Sequence, residues 1–300
     1  MSNPNNHIRL VARMDIKGDR LVKGINLEGL RTLGSAEVYS RHYADQGIDE
    51  LLVMDTVASL YGRDNLLNFI KKIAHDIFIP ITVGGGLRSI EDIQATFLSG
   101  ADKVVLNTAA IHKPEILNEA VQKFGSSSIV ASIEAKKTEN NEWLAYYNNG
   151  RMNSGKKVTD WIKEVQDRGV GEIFITNIDK EGTGKGFDTE LYEAISPLCH
   201  VPLCASGGAG RKEHCADIAP FVNSICLASL LHYGVPEDLK TLALSMQDAG
   251  GFAPRQYNYR NKNLEFASIE AIKEFLSSLG YDMRIACSRS KNETRCQTTL

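Results

Sequence analysis

Two acidic residues recur at matching places in this chain. Asp15 lies in the run Val11-Ala12-Arg13-Met14-Asp15-Ile16-Lys17, and Glu134 in the similar run Val130-Ala131-Ser132-Ile133-Glu134-Ala135-Lys136. A pair of carboxylates facing one substrate is the usual equipment for general acid–base catalysis. Glycine-rich turns recur too: Val83-Gly84-Gly85-Gly86-Leu87-Arg88 returns as Ser206-Gly207-Gly208-Ala209-Gly210-Arg211. At Gly85, Gly86, Gly207 and Gly208 backbone N–H groups can approach an anion closely, and the start of a helix adds partial positive charge. Asn107-Thr108 and Ala228-Ser229 each follow a later apolar run and bring donors to the neighbouring glycine turn, beside Ser206 in the second case. Two acids and two phosphate-type turns imply a long substrate with a phosphate at each end and proton transfer between them. The plainer reading has the acids capping loops or pairing with Lys17 and Lys136, and the glycines serving tight turns. The repetition favours chemistry.

The elements that position these residues repeat with them. Gly47–Asp55 returns as Gly169–Asn177, so two similar halves stand roughly 120 residues apart. Strands are predicted at Ile8–Met14, Glu50–Asp55, Ile81–Val83, Lys103–Leu106, Ile129–Ile133, Glu172–Thr176, Leu203–Ala205 and Ser224–Leu227. Their continuous apolar runs fit buried parallel strands. Amphipathic helices are expected at Gly34–Gln46, Asp64–His75, Ile90–Ser99, Pro114–Phe124 and Val158–Arg168, with Ser89 and Pro114 marking two of the starts. Eight strand–helix units in two matching halves make a (β/α)8 barrel, in which the C-terminal ends of the strands carry the chemistry. The acids and glycine turns all fall there. A closing helix, Ser268–Leu279, begins late, so 234–266 reads as an insertion beside the mouth, helical over Glu237–Gln247. One domain over 1–285 is expected, with a disordered tail over 286–300.

Composition narrows the function classes. Three hundred residues with 43% hydrophobic content are ample for one large core, and the net charge of −3 gives no electrostatic case for nucleic acid. No apolar run approaches the roughly 18 residues of a membrane span, and the N-terminus lacks a signal-peptide core. The six cysteines form no Cys-x-x-Cys pair, so reduced thiols are expected and no metal site or cofactor. A cytoplasmic enzyme follows. Four charged residues, Arg9, Glu50, Lys103 and Glu172, lie at the opposite, N-terminal ends of the strands. They are either solvated charges on the barrel floor or a salt-bridged gate closing it.

Taken together, the motifs resemble the cyclase subunit of imidazole glycerol phosphate synthase, over about residues 7–233 and 267–285. The matching stretches are Met14-Asp15-Ile16-Lys17, Asp49-Glu50-Leu51, Thr82–Gly86, Gly100-Ala101-Asp102-Lys103, Asn107–Ala110, Asp179–Thr183 and Ala205–Gly210. The resemblance implies a heterodimer with a glutaminase, whose ammonia enters at the barrel floor. At the top it reacts with a phosphoribulosyl aminoimidazole carboxamide nucleotide carrying two phosphates. Imidazole glycerol phosphate and an aminoimidazole carboxamide ribonucleotide result. It also implies that Arg9, Glu50, Lys103 and Glu172 form the ammonia gate, that Asp102 faces the partner, and that Asp15 and Glu134 exchange the protons. One phosphate falls on Gly85, Gly86, Asn107 and Thr108, the other on Gly182, Ser206, Gly207, Gly208, Ala228 and Ser229.

The departures sit on the catalytic face. Glu134 and Glu181 stand where the family pattern has Asp, and a methylene's displacement of about 1 Å costs on the order of 100-fold in rate. Lys17-Gly18-Asp19-Arg20 replaces the usual Lys-Asp-Gly-Arg. Two alternatives therefore stay open: a related barrel passing ammonia to an amidotransferase of surface-polysaccharide sugars, and a non-catalytic scaffold that activates its glutaminase.

Overall fold

The eight apolar runs become the eight staves of a closed parallel barrel. A computed structural model describes residues 7–56, 64–246 and 261–285. Its strands are β1 (Arg9–Lys17), β2 (Arg20–Ile25), β3 (Glu28–Ser35), β4 (Glu50–Asp55), β5 (Ile81–Gly84), β6 (Lys103–Leu106), β7 (Ile129–Lys137), β8 (Trp143–Tyr147), β9 (Met152–Lys157), β10 (Glu172–Asn177), β11 (Leu203–Ser206) and β12 (Ser224–Leu227). The staves run β1-β4-β5-β6-β7-β10-β11-β12, and β12 returns to pair with β1 through Arg9↔Ser224. The pseudo-twofold is explicit in register. Val11 pairs with Glu50 on one side, and Val130 with Glu172 on the other.

Two hairpins absent from the sequence-based expectation leave the barrel at equivalent points. β2 and β3 follow β1, and β8 and β9 follow β7, all antiparallel. The reversed order at Gly18-Asp19 has its reason here. Lys17 pairs with Arg20, which leaves a two-residue turn with φ +65° at Gly18, and a hairpin turn of that kind needs glycine first. The second hairpin turns on Asn148, Asn149 and Gly150, all at positive φ, and its Asn-Asn-Gly was a legible turn signal. The first hairpin takes up Gly34 and Ser35 in β3, so the first helix spans Ala36–Asp45 rather than Gly34–Gln46.

Apolar residues divide between two regions. The larger core fills the space between barrel and helices, with Tyr39, Leu51, Trp161 and Ile173 at 0–1% exposure. The smaller one is the lumen: Val11, Leu52, Val105, Val130, Phe174, Cys204 and Cys226. Helix Ile269–Ser278 closes the ring from outside. Its buried Lys273 donates to Asp49 Oδ1 at 2.6 Å, the Gly47 carbonyl at 2.7 Å and the Arg284 carbonyl at 2.6 Å. Within 234–266, a helix covers Glu237–Ser245, and the expected end at Gln247 lies outside the described residues. Asn261 donates to the Gly182 and Thr183 carbonyls, so this part of the segment lies at the mouth. The expected tail over 286–300 lies outside the described residues.

Candidate active site

Because strand side chains alternate, β1 sends Arg9, Val11, Arg13 and Asp15 in turn into the barrel, and the other staves complete the same layers. At the floor the four charges meet. Arg9 donates to Glu50 at 2.7 Å and to Glu172 at 2.6 Å, and Lys103 donates to Glu50 at 3.0 Å and to Glu172 at 2.7 Å. Cations and anions alternate in a closed ring, seconded by Thr82 on Glu50 and Ser224 near Glu172. Burial works against Lys103's charge, but Glu172 and Glu50 outweigh it and hold its ammonium above its ordinary range. Burial likewise works against ionised Glu172, and Arg9 and Lys103 overcome it, so its pKa falls. Of the two readings of these residues, solvated floor charges and paired ring, the structure has the ring. Asp102 stands beside it, exposed, accepting from the Ile81 amide at 2.8 Å.

Between the ring and the apolar lumen layer lies a small cavity of about 10 Å³, bordered by Glu50, Thr82 and Glu172 as well as by Val11, Leu52, Val105, Val130 and Phe174. That is room for one molecule the size of water or ammonia.

At the mouth, Asp15 and Glu134 occupy equivalent positions one residue before the last pairing of their strands with the next stave. Their environments differ. Asp15 is buried and accepts from Arg13 Nε at 2.8 Å. Burial alone would raise its pKa, but Arg13 and Lys23 more than offset this and keep it below the ordinary range. Glu134 accepts from the Gly150 amide at 2.7 Å, and burial pushes its carboxyl up to about 7 against that bond and the charge of Arg13. One acid is thus a fixed anion and the other titrates near neutrality, the split expected of paired groups with different roles.

The first anion turn joins Glu134 in one cavity of about 360 Å³, whose walls include Gly85, Gly86, Asn107, Thr108 and Ser132. The second hairpin folds over it, where the Asn148 amide donates to Thr108 Oγ at 3.1 Å. On the opposite side Ser206 and Ser229 are buried at the ends of their elements, with Ala228 between β12 and a short helix. The two turns are built alike. A Cβ at Gly85 would strike the Asp55 backbone, and one at Gly207 would come within 2.7 Å of the Asn177 carbonyl, both at φ near +97°. Glycine at those two positions is required by the fold itself. Gly208 packs on Gly186, whose amide donates to its carbonyl at 2.8 Å. Gly182 is engaged by Asn261.

Sequence reasoning missed three buried polar residues here. Lys23, from the first hairpin, pairs with Glu181 at 2.5 Å. His232 hydrogen-bonds Tyr43 at 2.6 Å, and burial and Lys23 push its pKa down to about 3. Arg13 spans the lumen to Thr176 on β10 at 3.1 Å. Among the described residues, Asn107 Oδ1, Glu181 Oε2 and His232 Nε2 are buried without partners, and all three lie at this end of the barrel. The signal for Arg13 was a charge in mid-strand. Lys23 and His232 gave none, because a hairpin and a short helix bring them in.

Comparison with known proteins settles the lineage. The model of the family described as "Histidine biosynthesis protein" matches residues 9–237. The chain belongs to this histidine biosynthesis family. Similar relatives include the imidazole glycerol phosphate synthase subunit HisF of Legionella pneumophila, 50% identical over 69% of this chain and 98% of that one. Those of Helicobacter hepaticus and Campylobacter concisus are 42% and 43% identical, over 81% and 75% of this chain and 96% and 90% of theirs. The family match ends at 237, within the 234–266 segment. No group of three or more His, Cys, Asp or Glu among the described residues is placed to hold a metal ion, and no described helix is long and apolar enough to cross a membrane.

Proposed function

We propose that this barrel is the cyclase–lyase subunit of an imidazole glycerol phosphate synthase, working in the cytoplasm as a heterodimer with a glutaminase. The observation that carries the reading is the stacking of layers along one axis. A closed ring of alternating charges lies beneath an apolar lumen sized for ammonia, which rises to two carboxylates between two anion turns. The glutaminase docks on the floor beside Asp102, where Phe78 and Leu98 are 92% and 77% exposed at the ends of neighbouring βα units. Its ammonia passes the ring of Arg9, Glu50, Lys103 and Glu172. The nucleotide lies across the mouth with one phosphate on Gly85, Gly86, Asn107 and Thr108, and the other on Gly182, Ser206, Gly207, Gly208, Ala228 and Ser229.

The two acids then divide the work. Glu134, titrating near 7, takes and returns protons as ammonia adds and the imidazole closes. Asp15 remains charged and steadies the positive character that develops on the substrate nitrogens. The neutral, buried His232 and Lys23, which pairs with Glu181, stand near Asp15 at the mouth. The Asn148 and Gly150 amides, on Thr108 and Glu134, hold the second hairpin beside the first phosphate turn and the titrating acid.

The test is turnover of the phosphoribulosyl aminoimidazole carboxamide nucleotide with ammonium alone, following both products by mass spectrometry. Formation of both in equal amounts, abolished in Asp15→Asn, is the expected result. The second reading, ammonia passed to a different acceptor, draws on two departures at the mouth, Glu134 and the Asn261 contact with Gly182 and Thr183, while the gate is intact. Under it the barrel makes neither product.

A further inference from the structure

Arg13 is the one charged side chain placed between the gate and the two acids on β1, and it is 6% exposed. Its Nε holds Asp15 Oδ1 at 2.8 Å, and its Nη1 reaches Thr176 at 3.1 Å. β1 and β10 are separated around the barrel by β11 and β12, so this side chain crosses the lumen. The guanidinium lies 6.0 Å from the centre of the Phe174 ring below it. Phe174 lines the lower cavity above the gate, and so does Val105. Of these two, Val105 alone also lines the cavity at the mouth, together with Met54, Ser132 and Glu134. The lower and upper spaces therefore approach each other at Val105 on β6, with Val130 below and Ser132 and Glu134 above it on β7, while the buried Arg13, Phe174 and Asp15 occupy the β1 and β10 side.

We infer that Arg13 is a positioning residue that pins the Asp15 carboxylate and plugs one side of the lumen, so that ammonia emerges at Val105, against Glu134. This rests on the proposed ammonia-conducting function and adds the route and the order of encounter. The incoming nitrogen meets the titrating acid first and the fixed anion second.

Two measurements test this on the full chain. The first needs no activity: the Asp15 carboxyl is followed by ¹³C NMR through an acid titration. In Arg13→Met its midpoint should rise by about 1–3 pH units, the usual influence of an adjacent opposite charge. In Arg13→Lys, which keeps the charge and covers the case in which the Met variant does not fold, it should stay within about one unit of the parent. An unmoved midpoint in folded Arg13→Met overturns the positioning role.

The second uses the complex with the glutaminase and compares glutamine-driven with ammonium-driven turnover. Val105→Phe should lower that ratio by about tenfold or more, and adding Arg13→Met should restore much of it by opening the other side. A Val105→Phe ratio equal to the parent's, or a double variant no better than the single, overturns the route. A parent that makes no imidazole product from ammonium refutes the proposed function instead, and the titration still decides whether Arg13 positions Asp15.

Discussion

Replacing Glu134 by Gln should stabilise the protein, and increasingly so as pH rises. Burial at 9% exposure lifts the Glu134 carboxyl from an ordinary 4.5 to about 7. Between those values the folded chain keeps a proton that the unfolded chain has released. The stability this group contributes is therefore fully present below 4.5 and is lost as pH rises through about 7. At about 1.4 kcal/mol per pH unit, the loss amounts to about 3 kcal/mol. Glutamine keeps an oxygen to accept the Gly150 amide, 2.7 Å away in the parent, but it has no charge to bury. Urea denaturation of both proteins at half-unit steps from pH 4.5 to 8 isolates the group, since every other titration is shared. The difference in unfolding free energy should be small at the acid end and grow to about 3 kcal/mol by pH 8. Parallel curves, or a difference that shrinks with pH, would refute the claim that Glu134 is held neutral by burial.

Other expectations follow from the same geometry. Lys103→Ala leaves Glu50 and Glu172 sharing one cation, and should lower stability on the order of 2 kcal/mol. It should also lower glutamine-driven turnover more than ammonium-driven turnover; equal losses would argue against a gate. Crystals soaked in sulfate or phosphate should show two anions, near Gly85 and Thr108 and near Gly208 and Ser229, and neither appearing at high concentration would remove the diphosphate substrate. Glu134→Asp should bind the nucleotide as the parent does, because affinity resides in the anion turns, and turn it over comparably or faster, because it puts back the shorter acid of the family pattern. A large rise in KM there would place Glu134 in binding rather than proton transfer.

Much of this was legible in the amino-acid order, for physical reasons that also mark its limits. Staves buried on both faces must be apolar throughout, so runs such as Glu50–Asp55 and Glu172–Asn177 announce themselves, and their repetition gives the half-barrel symmetry. The gate could be placed because Arg9, Glu50, Lys103 and Glu172 each begin a stave, although only the folded ring shows that they neutralise one another. The hairpins escaped notice because Arg20–Ser35 and Trp143–Lys157 are half-exposed, with no continuous apolar signal to register. Arg13 escaped for a different reason. Its charge in mid-strand, two residues before Asp15 and so on the same face of β1, was a signal, but its reach to Thr176 on β10 exists only in the fold. The difference between Asp15 and Glu134 is half legible in the repeat, which sets Arg13 beside one acid and Ser132 at the equivalent place beside the other; the burial that raises the Glu134 carboxyl appears only in the fold.

The most direct test of the account is where the nitrogen travels. The barrel and its glutaminase are supplied with glutamine labelled with ¹⁵N at the side-chain amide, the nucleotide substrate, and an excess of unlabelled ammonium in solution at neutral pH. If ammonia passes from the ring at Arg9, Glu50, Lys103 and Glu172 through the lumen to Glu134, the imidazole product carries ¹⁵N almost undiluted. Product labelled only in proportion to the bulk ammonium would mean that the nitrogen reaches the mouth through solvent, and the channel reading would fall.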